Sequence, residues 1–502
     1  MIPDRLRPLV EETGPLAARF ESAGRRLYLV GGVVRDAVLG RLDDNGDLDF
    51  TTDATPDETE AILSGWADAV WTQGKRFGTI GARLPGARPA PQSPEPPESS
   101  AAPSSGTSSS GASSSGASSS AGAPSAARVV EITTHRAEAY SADSRNPSVT
   151  FSTDIEADLS RRDFTVNAMA LALPDMRLID PFDGVADLAA GRLRTPLPPE
   201  ESFADDPLRM LRAARFVAGY GLTPDPDLVA AITTMRARLD IVSDERIRDE
   251  LDKLMVVEKP GAGLWLLVST GLAEEFLPEL PALALEQDPI HRHKDVLAHT
   301  IAVIEKTQPD RLLRLAALFH DVGKPKTRSF GPRGHVSFHH HEVVGGRMTR
   351  DRMRALRYPT EDIDIVATLV DLHLRFHTYR MGWTDAAVRR YVRDAGPLLD
   401  RLNELTRCDC TTRNAAKARA LARRMDELEE RIAVLREQEE LAAIRPDLDG
   451  VAVMKRLGIR PGREVGEALN FLLELRLEEG PLGEEEAGRR LDAWWAERNS
   501  GT

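Results

Sequence analysis

Asp47 and Asp49 are separated by one residue in the short run DLDF. In an extended strand, side chains two apart leave the same face. Two carboxylates on one face can hold divalent cations that activate an attacking hydroxyl and stabilise a leaving pyrophosphate. Upstream, LYLV runs into Gly31-Gly32 and a helical stretch, where backbone amides can cradle phosphate and Arg35 can clamp it. Taken alone, Asp-x-Asp also fits a solvated turn and Gly-Gly a tight one. Asp206 and Arg209 form a second set in FADDPLRMLRAARF. Three apart at a helix start, they share a face, and Arg212 and Arg215 continue the series. A carboxylate accepts from an exocyclic amino group, and a guanidinium donates to a ring nitrogen. Cytosine and adenine satisfy that pair; uracil and guanine reverse it, at about 1–3 kcal/mol per unpaired group. A surface salt bridge is the competing reading. A third set is His299, then His320-Asp321 at the end of an apolar helix, then FHHHEVV and ATLVDLHLRFH. Imidazole with carboxylate suits a transition metal or Mg²⁺.

These residues need elements to hold them. The first 80 residues alternate strand and helix: LYLV (27–30), a helical stretch (33–40), DLDF (47–50), then a helix from Thr55 to about Ala69. Pro56 in the first turn and Glu58 in a capping box open that last helix. FGTIGARL (77–84) and RVVEITTHR (128–136) read as strands that pair as a hairpin. Between them, from Pro85 to Arg128, there is no Val, Ile, Leu, Met, Phe, Trp or Tyr. Such a Pro/Ser/Gly/Ala stretch cannot bury enough apolar surface to offset chain entropy, which predicts a disordered insertion. Glu131, just beyond it, is a candidate third acidic group. From residue 155 onward the apolar period is helical, at 207–218, 225–238, 244–256, 295–306, 311–320, 341–356 and 362–374. The charged stretch 414–443 reads as a long exposed helix, and 447–497 as two or three more. The expected fold class is therefore α+β: a small mixed head, then a long helical body.

With 502 residues and 41% hydrophobic content, the chain can bury substantial cores and is not wholly disordered. Its net charge of −14 argues against wholesale nonspecific nucleic-acid binding, while leaving room for a basic face on one domain. No apolar run is long enough to span a membrane, and MIPDRLRPLVEETGP lacks an apolar secretory core. Cys408 and Cys410 make no disulfide framework, so a reducing cytoplasm is expected. Cys408-Asp-Cys410 lacks the second half of a zinc site and reads as incidental.

Taken in order, LVGGVVRDAVLGR, DLDF, RRDFTVNAMA and DPFDGVADLAAGRLRTP resemble the tRNA nucleotidyltransferase/poly(A) polymerase family, in its bacterial-type class. The resemblance implies a polymerase-β-like nucleotidyltransferase head (1–196) followed by a helical neck (197–285), an HD body (286–410) and a helical tail (411–502). It implies nucleotidyl transfer to an RNA 3′ end: addition of C, C and A to tRNA from CTP and ATP. Asp47 and Asp49 would bind Mg²⁺. Gly31, Gly32 and Arg35 would hold the triphosphate, with Arg161, Arg162, Asp163 and Asn167 near ribose and phosphates. Asp206 and Arg209 match the family's base-selecting template, with Asp205 where glutamate is usual. The helical set resembles HD phosphohydrolases. Mapped by motif, its ligands to a second divalent metal are His299, His320, Asp321 and Asp371, with His341 as an extra candidate. Cyclic phosphodiesterase, nucleotidase or phosphatase chemistry would follow. His335, His339, His340, His373 and His377 read as ordinary polar residues. Arg209, Arg212, Arg215, Arg246, Arg248 and Lys253 are candidate RNA phosphate contacts, and LGIRPGREVG resembles a tail that touches tRNA. The alternatives are a poly(A) polymerase, which shares these motifs, an HD phosphohydrolase whose head only binds RNA, and a non-catalytic scaffold.

Overall fold

In the computed structural model the described residues are 7–41, 48–85, 128–136, 151–285, 295–331, 336–378, 384–411, 414–439 and 444–500. Asp47 and most of the 85–128 insertion lie outside them. Two compact units divide the chain between Asp205 and Asp206.

The first unit is built on a seven-stranded sheet. Its strands are β1 (Leu27–Val30), β2 (Leu48–Thr52), β3 (Ala69–Trp71), β4 (Thr79–Arg83), β5 (Val129–Thr134), β6 (Ala170–Leu173) and β7 (Arg177–Ile179), in the order β3-β4-β5-β2-β1-β6-β7. Only the β2–β5 pair is parallel. The expected hairpin forms: β4 and β5 run antiparallel, Thr79 opposite Thr133 and Arg83 opposite Val129. Alternation sorts the side chains. Tyr28, Val30, Ala170 and Ala172 cluster with Ile155 and Leu159 of a short helix, Ile155–Ser160. Leu29, Phe50 and Ile132 of the other face are buried as well. The helix opened by Thr55 carries its capping box and Pro56 as expected, but spans Pro56–Leu63, not up to Ala69. Gly65, at φ 71°, turns the chain in a conformation that favours glycine, and Ala69–Trp71 joins the sheet as an edge strand.

The second unit is helical. Helices stand where the period placed them, among them Leu208–Tyr220, Asp244–Met255, Val296–Lys306, Arg311–Phe319, His341–Ala355, Thr360–Leu372 and Ala415–Glu439. Others were not anticipated: Gly261–Ser269, Asp385–Ala395 and Leu399–Asp409. Arg314, 2% exposed, ties two helices together by donating to the carbonyls of Met255 (2.6 Å) and Thr307 (3.1 Å). Near the C-terminus, Phe471 stacks on Trp494 at 4.9 Å. Among the described residues no helix is long and apolar enough to cross a membrane.

Candidate active site and metal centre

At the end of β1 the chain turns at Gly31, with φ 76°, into the helix Gly32–Leu39. The register puts Val30 opposite Asp49 on one side of β2, and Glu131 opposite Asp49 on the other. Directly paired residues share a face, so Asp49 and Glu131 stand abreast, both exposed. A Cβ on Gly31 would lie 3.6 Å from Asp49 Oδ2 and 3.5 Å from Arg162 Nη1. The glycine turn, a carboxylate and a guanidinium therefore line one small space. Oxygen donors on an open face fit a hard divalent cation, and the guanidinium beside them fits a phosphate.

The other head residues support this space from beneath. Arg35 is 6% exposed; it donates to Asn167 Oδ1 at 2.6 Å and to both Asp36 oxygens at 2.9 Å. Asn167 Nδ2 donates to Asp163 Oδ1 at 2.9 Å. Arg35, expected at the triphosphate, is buried here and joins the Gly31 helix to the RRDFTVN segment. Arg161 and Arg162 both lean on Asp158, at 3.2 and 3.4 Å. Asp158 is fully buried. Burial pushes its carboxyl up, but Arg162 and Arg161 override that and hold it below the usual range. Sequence reading passed over Asp158. Its signal was its i, i+3 and i, i+4 spacing to the two arginines.

In the second unit, Asp206 precedes the helix Leu208–Tyr220 and accepts from the Leu208 amide at 3.2 Å. Its other oxygen accepts from Arg246 Nη2 at 2.7 Å. The Arg209 amide donates to the Asp206 carbonyl at 3.0 Å, so template residues 206 and 209 span one turn. Arg212 and Arg215 converge on Glu250, at 3.3 and 2.8 Å. Glu250 is 2% exposed and also takes Lys253 at 3.4 Å. Three cations expected to meet nucleotide or RNA are thus gathered around one buried carboxylate.

The HD residues meet, with one substitution. His320 and Asp321 follow the helix Arg311–Phe319, and both are buried. Asp321 Oδ2 lies 3.2 Å from His320 Nε2 and 3.5 Å from His299 Nε2, and its Oδ1 lies 3.4 Å from His341 Nε2. The distal carboxylate is Asp409, whose Oδ1 is 3.0 Å from His299 Nε2 and 3.6 Å from His320 Nε2. Asp371 is not part of this centre. It accepts from Arg350 Nη2 at 2.9 Å and packs against Gly346. His373 follows the same helix two residues later, and its ring lies 5.4 Å from His320 and 5.3 Å from His341. Two residues turn a helix by about 200°, so His373 facing inward sends Asp371 outward. The expectation for Asp371 is corrected, and so is that of His373 as an ordinary polar residue. Among the described residues, ligand-competent atoms fall into two triads, His299–His320–Asp409 and Asp321–His341–His373. Asp409 had a legible signal: it lies seven residues after Leu402 and four after Leu405, on the buried stripe of Leu399–Asp409.

Four imidazoles are aimed alike. Nδ1 of His320, His341 and His373 lies 2.7–2.8 Å from the carbonyls of Ala317, Phe338 and Val370, and Nδ1 of His299 lies 2.7 Å from Thr411 Oγ1. A carbonyl only accepts, so Nδ1 of His320, His341 and His373 carries a proton, and in the neutral ring Nε2 is left with its lone pair toward the centre. His341 Nε2 is buried with no hydrogen-bond partner, which fits a metal ligand. Burial pulls His320 down, but Asp321 and Asp409 override it and hold the imidazole up at about 10. Burial and the His320 charge push His373 down to about 3. The carboxylates make the centre a seat for positive charge, whether proton or metal ion.

Three family models match: the poly A polymerase head domain at 27–87 and 107–194, the probable RNA and SrmB-binding site of polymerase A at 221–283, and the HD domain at 296–435. The chain is 37% identical to an A-adding tRNA nucleotidyltransferase of Deinococcus radiodurans, over 70% of this chain and 81% of that one. It is 35% identical to a CC-adding tRNA nucleotidyltransferase of Thermus thermophilus, over 68% of this chain and 77% of that one. In fold it is similar to the CCA-adding enzyme of Bacillus stearothermophilus solved with CTP, with a TM-score of 0.66 at 22% identity and full coverage of both chains. With relatives matched over most of their length and a poly A polymerase head model over its first unit, the chain belongs to the tRNA nucleotidyltransferase/poly(A) polymerase family and carries an HD domain match.

Proposed function

We propose that this chain adds C, C and A to tRNA 3′ ends, using CTP and ATP and releasing pyrophosphate. The observation that carries the reading is Asp49 beside Glu131, facing Arg162 across the Gly31 turn. In the reaction the 3′-oxygen bonds to the α-phosphorus, the bond to the bridging oxygen breaks, and pyrophosphate leaves. Asp49, with Asp47 of the same strand motif, would hold Mg²⁺, and Glu131 is the third carboxylate. Bound there, Mg²⁺ would lower the pKa of the attacking hydroxyl and offset charge on the phosphates. Arg162, braced by Asp158, neutralises the triphosphate, while the Arg35–Asn167–Asp163 strut keeps the glycine turn in place. Asp206 and Arg209 read the base. Arg246 fixes the Asp206 carboxylate so that it can accept from the amino group of C or A. The neck, HD body and tail boundaries expected from sequence, and a cytoplasmic location with the tRNA pool, are retained as parts of this proposal.

The A-adding relative favours a second reading, in which only the terminal A is added. A tRNA transcript ending at its discriminator base, given each nucleotide alone and then CTP with ATP, separates the readings. Growth by three nucleotides that needs both substrates supports CCA addition. Extension only of transcripts already ending in CC supports A addition. A long A tail made without CTP supports a poly(A) polymerase.

The HD centre carries a separate proposal: a divalent transition metal held by His299, His320, Asp321 and Asp409 in a phosphoester hydrolase. His341 Nε2, buried, without a hydrogen bond and 3.4 Å from Asp321 Oδ1, is the observation that fits the group. Together with Asp321 Oδ1 and His373, it offers a second ion a place. A metal there would supply an activated water at neutral pH. Hydrolysis of a 2′,3′-cyclic phosphate by metal-loaded protein, lost on chelation and restored by metal, is the expected result.

A further inference from the structure

The row of residues that holds Asp49 continues past the carboxylates. Glu131 pairs with Gly81 of β4, and Gly81 pairs with Trp71 of the edge strand β3. Asp49, Glu131, Gly81 and Trp71 therefore lie in one line on one face of the sheet. Gly81 makes the line a groove. With no side chain of its own, it leaves room for the Trp71 indole to reach back over the sheet: a Cβ there would meet Trp71 Cε3 at 3.2 Å. The groove holds about 450 Å³ and is lined by Trp71, Thr79, Gly81, Arg83, Val129 and Glu131, among others. Val129, opposite Arg83 in the register, is 51% exposed, a large apolar side chain left in solvent. The Arg83 guanidinium lies 5.7 Å from the Trp71 ring centroid.

An aromatic ring laid over the sheet, an exposed aliphatic wall and a cation are what an unpaired nucleotide uses: a ring to stack on, a surface to rest against, a charge for its phosphate. At about 4.8 Å per strand, Gly81 lies about 10 Å from Asp49 along the sheet. That matches the span from a ribose 3′-oxygen, held near Asp49, to the outer edge of the same nucleotide's base. The incoming triphosphate belongs at the Gly31 turn, on the opposite side of Asp49, because β1 and β5 flank β2.

Resting on the nucleotidyl-transfer reading, we propose that this groove seats the 3′-terminal nucleotide of the acceptor RNA, with its base stacked on Trp71 and its phosphate near Arg83. The subsite recognises any base, since every base has a face to stack. It thus fits an acceptor whose last residue changes with each addition.

The test is steady-state addition to a tRNA transcript and to the same transcript with an abasic 3′-terminal residue, using wild type, Trp71→Ala and Trp71→Phe. Wild type should show an acceptor KM roughly ten- to hundredfold higher for the abasic transcript. Trp71→Ala should show the raised KM with both transcripts, Trp71→Phe should stay near wild type, and KM for CTP and ATP should not move. Equal wild-type KM for the two transcripts overturns the proposal, and needs no variant to fold. So does a Trp71→Ala defect that appears in the nucleotide KM. If wild type extends no acceptor at all, the transfer reading itself falls; if it extends both equally well, only the groove does.

Discussion

Asp321 presents its two oxygens to different partners, Oδ2 to His299 and His320 and Oδ1 to His341. Burial would raise its carboxyl, but the His320 charge and Lys324 hold it well below the usual range. A carboxylate so placed is charged throughout the physiological range and ready to ligate. The distal position is then decided by contact. Asp409→Ala should cut metal affinity by ~100-fold or more, since it removes a direct ligand. Asp371→Ala removes an ion pair with half-buried Arg350, away from the centre, and should leave affinity near wild type. Metal titration of both variants checks this, and equal losses would refute the assignment to Asp409. In the head, Asp49 is exposed and supports no core. Asp49→Ala should keep stability within ~0.5 kcal/mol while lowering nucleotide transfer by at least ~10³-fold, read by melting and by pyrophosphate release.

Strands and turns place these groups, and the turn at Gly31 is the sharpest case. An alanine there keeps a backbone conformation that L-residues resist (φ 76°, ψ −140°), at about 1–3 kcal/mol. Its methyl meets nothing closer than ordinary contact, yet it enters the space between Asp49 and Arg162. Gly31→Ala should therefore fold with a modestly lower Tm and lose far more transfer than that loss of stability explains. Helix pairing gives a contrasting prediction. Glu250 joins Arg212 and Arg215 across two helices from a buried position. Glu250→Gln leaves those cations without their counter-charge, at about 3 kcal/mol, measured by denaturant unfolding. Just beyond β5, His135 is buried, its Nδ1 2.8 Å from Thr51 Oγ1. Burial lowers its pKa, against the pull of Asp158. The unfolded chain binds that proton near pH ~6.5 and the folded head resists it, so this contribution to stability is lost as pH falls below that point. Tm should fall between pH 7.5 and 5.5 more steeply in wild type than in His135→Gln.

Across the whole molecule, the two sites fall in different units, the head carboxylates before Asp205 and the HD centre after Asp206. Their chemistries should separate. Asp409→Ala should spare nucleotide addition, and Asp49→Ala should spare phosphoester hydrolysis; loss of both activities in either variant would contradict two independent centres. The β4–β5 hairpin that flanks the long Ser/Gly/Ala insertion is paired from Thr79–Arg83 against Val129–Thr133. Its hydrogen bonds do not depend on the intervening composition. Removing residues 88–126 should leave transfer close to wild type, and an inactive deletion would show that the insertion contributes to the site.

Sequence by itself determined what depends on local order. The apolar run LYLV, the alternation in DLDF, the capping box at Thr55 and the helical period beyond residue 155 pointed to the strands and helices, because side-chain direction within one element follows from its period. Motif spacing also named His299, His320, Asp321 and the Asp-x-Asp. Where two elements meet, local order is silent. Asp371 and Asp409 are both acidic residues late in helices with a buried stripe, and only the packing of Leu399–Asp409 against the helices of His299 and His320 brings Asp409 within 3.0 Å of an imidazole. In the same way, Glu131, Gly81 and Trp71 are scattered in the chain, and the strand register alone sets them in line with Asp49. Likewise Arg35, Arg212 and Arg215 read from sequence as contacts to nucleotide or RNA, and only the fold shows Asn167 and Glu250 beside them. A charge in a sequence has no fixed partner until folding removes water from around it and makes an unpaired position costly.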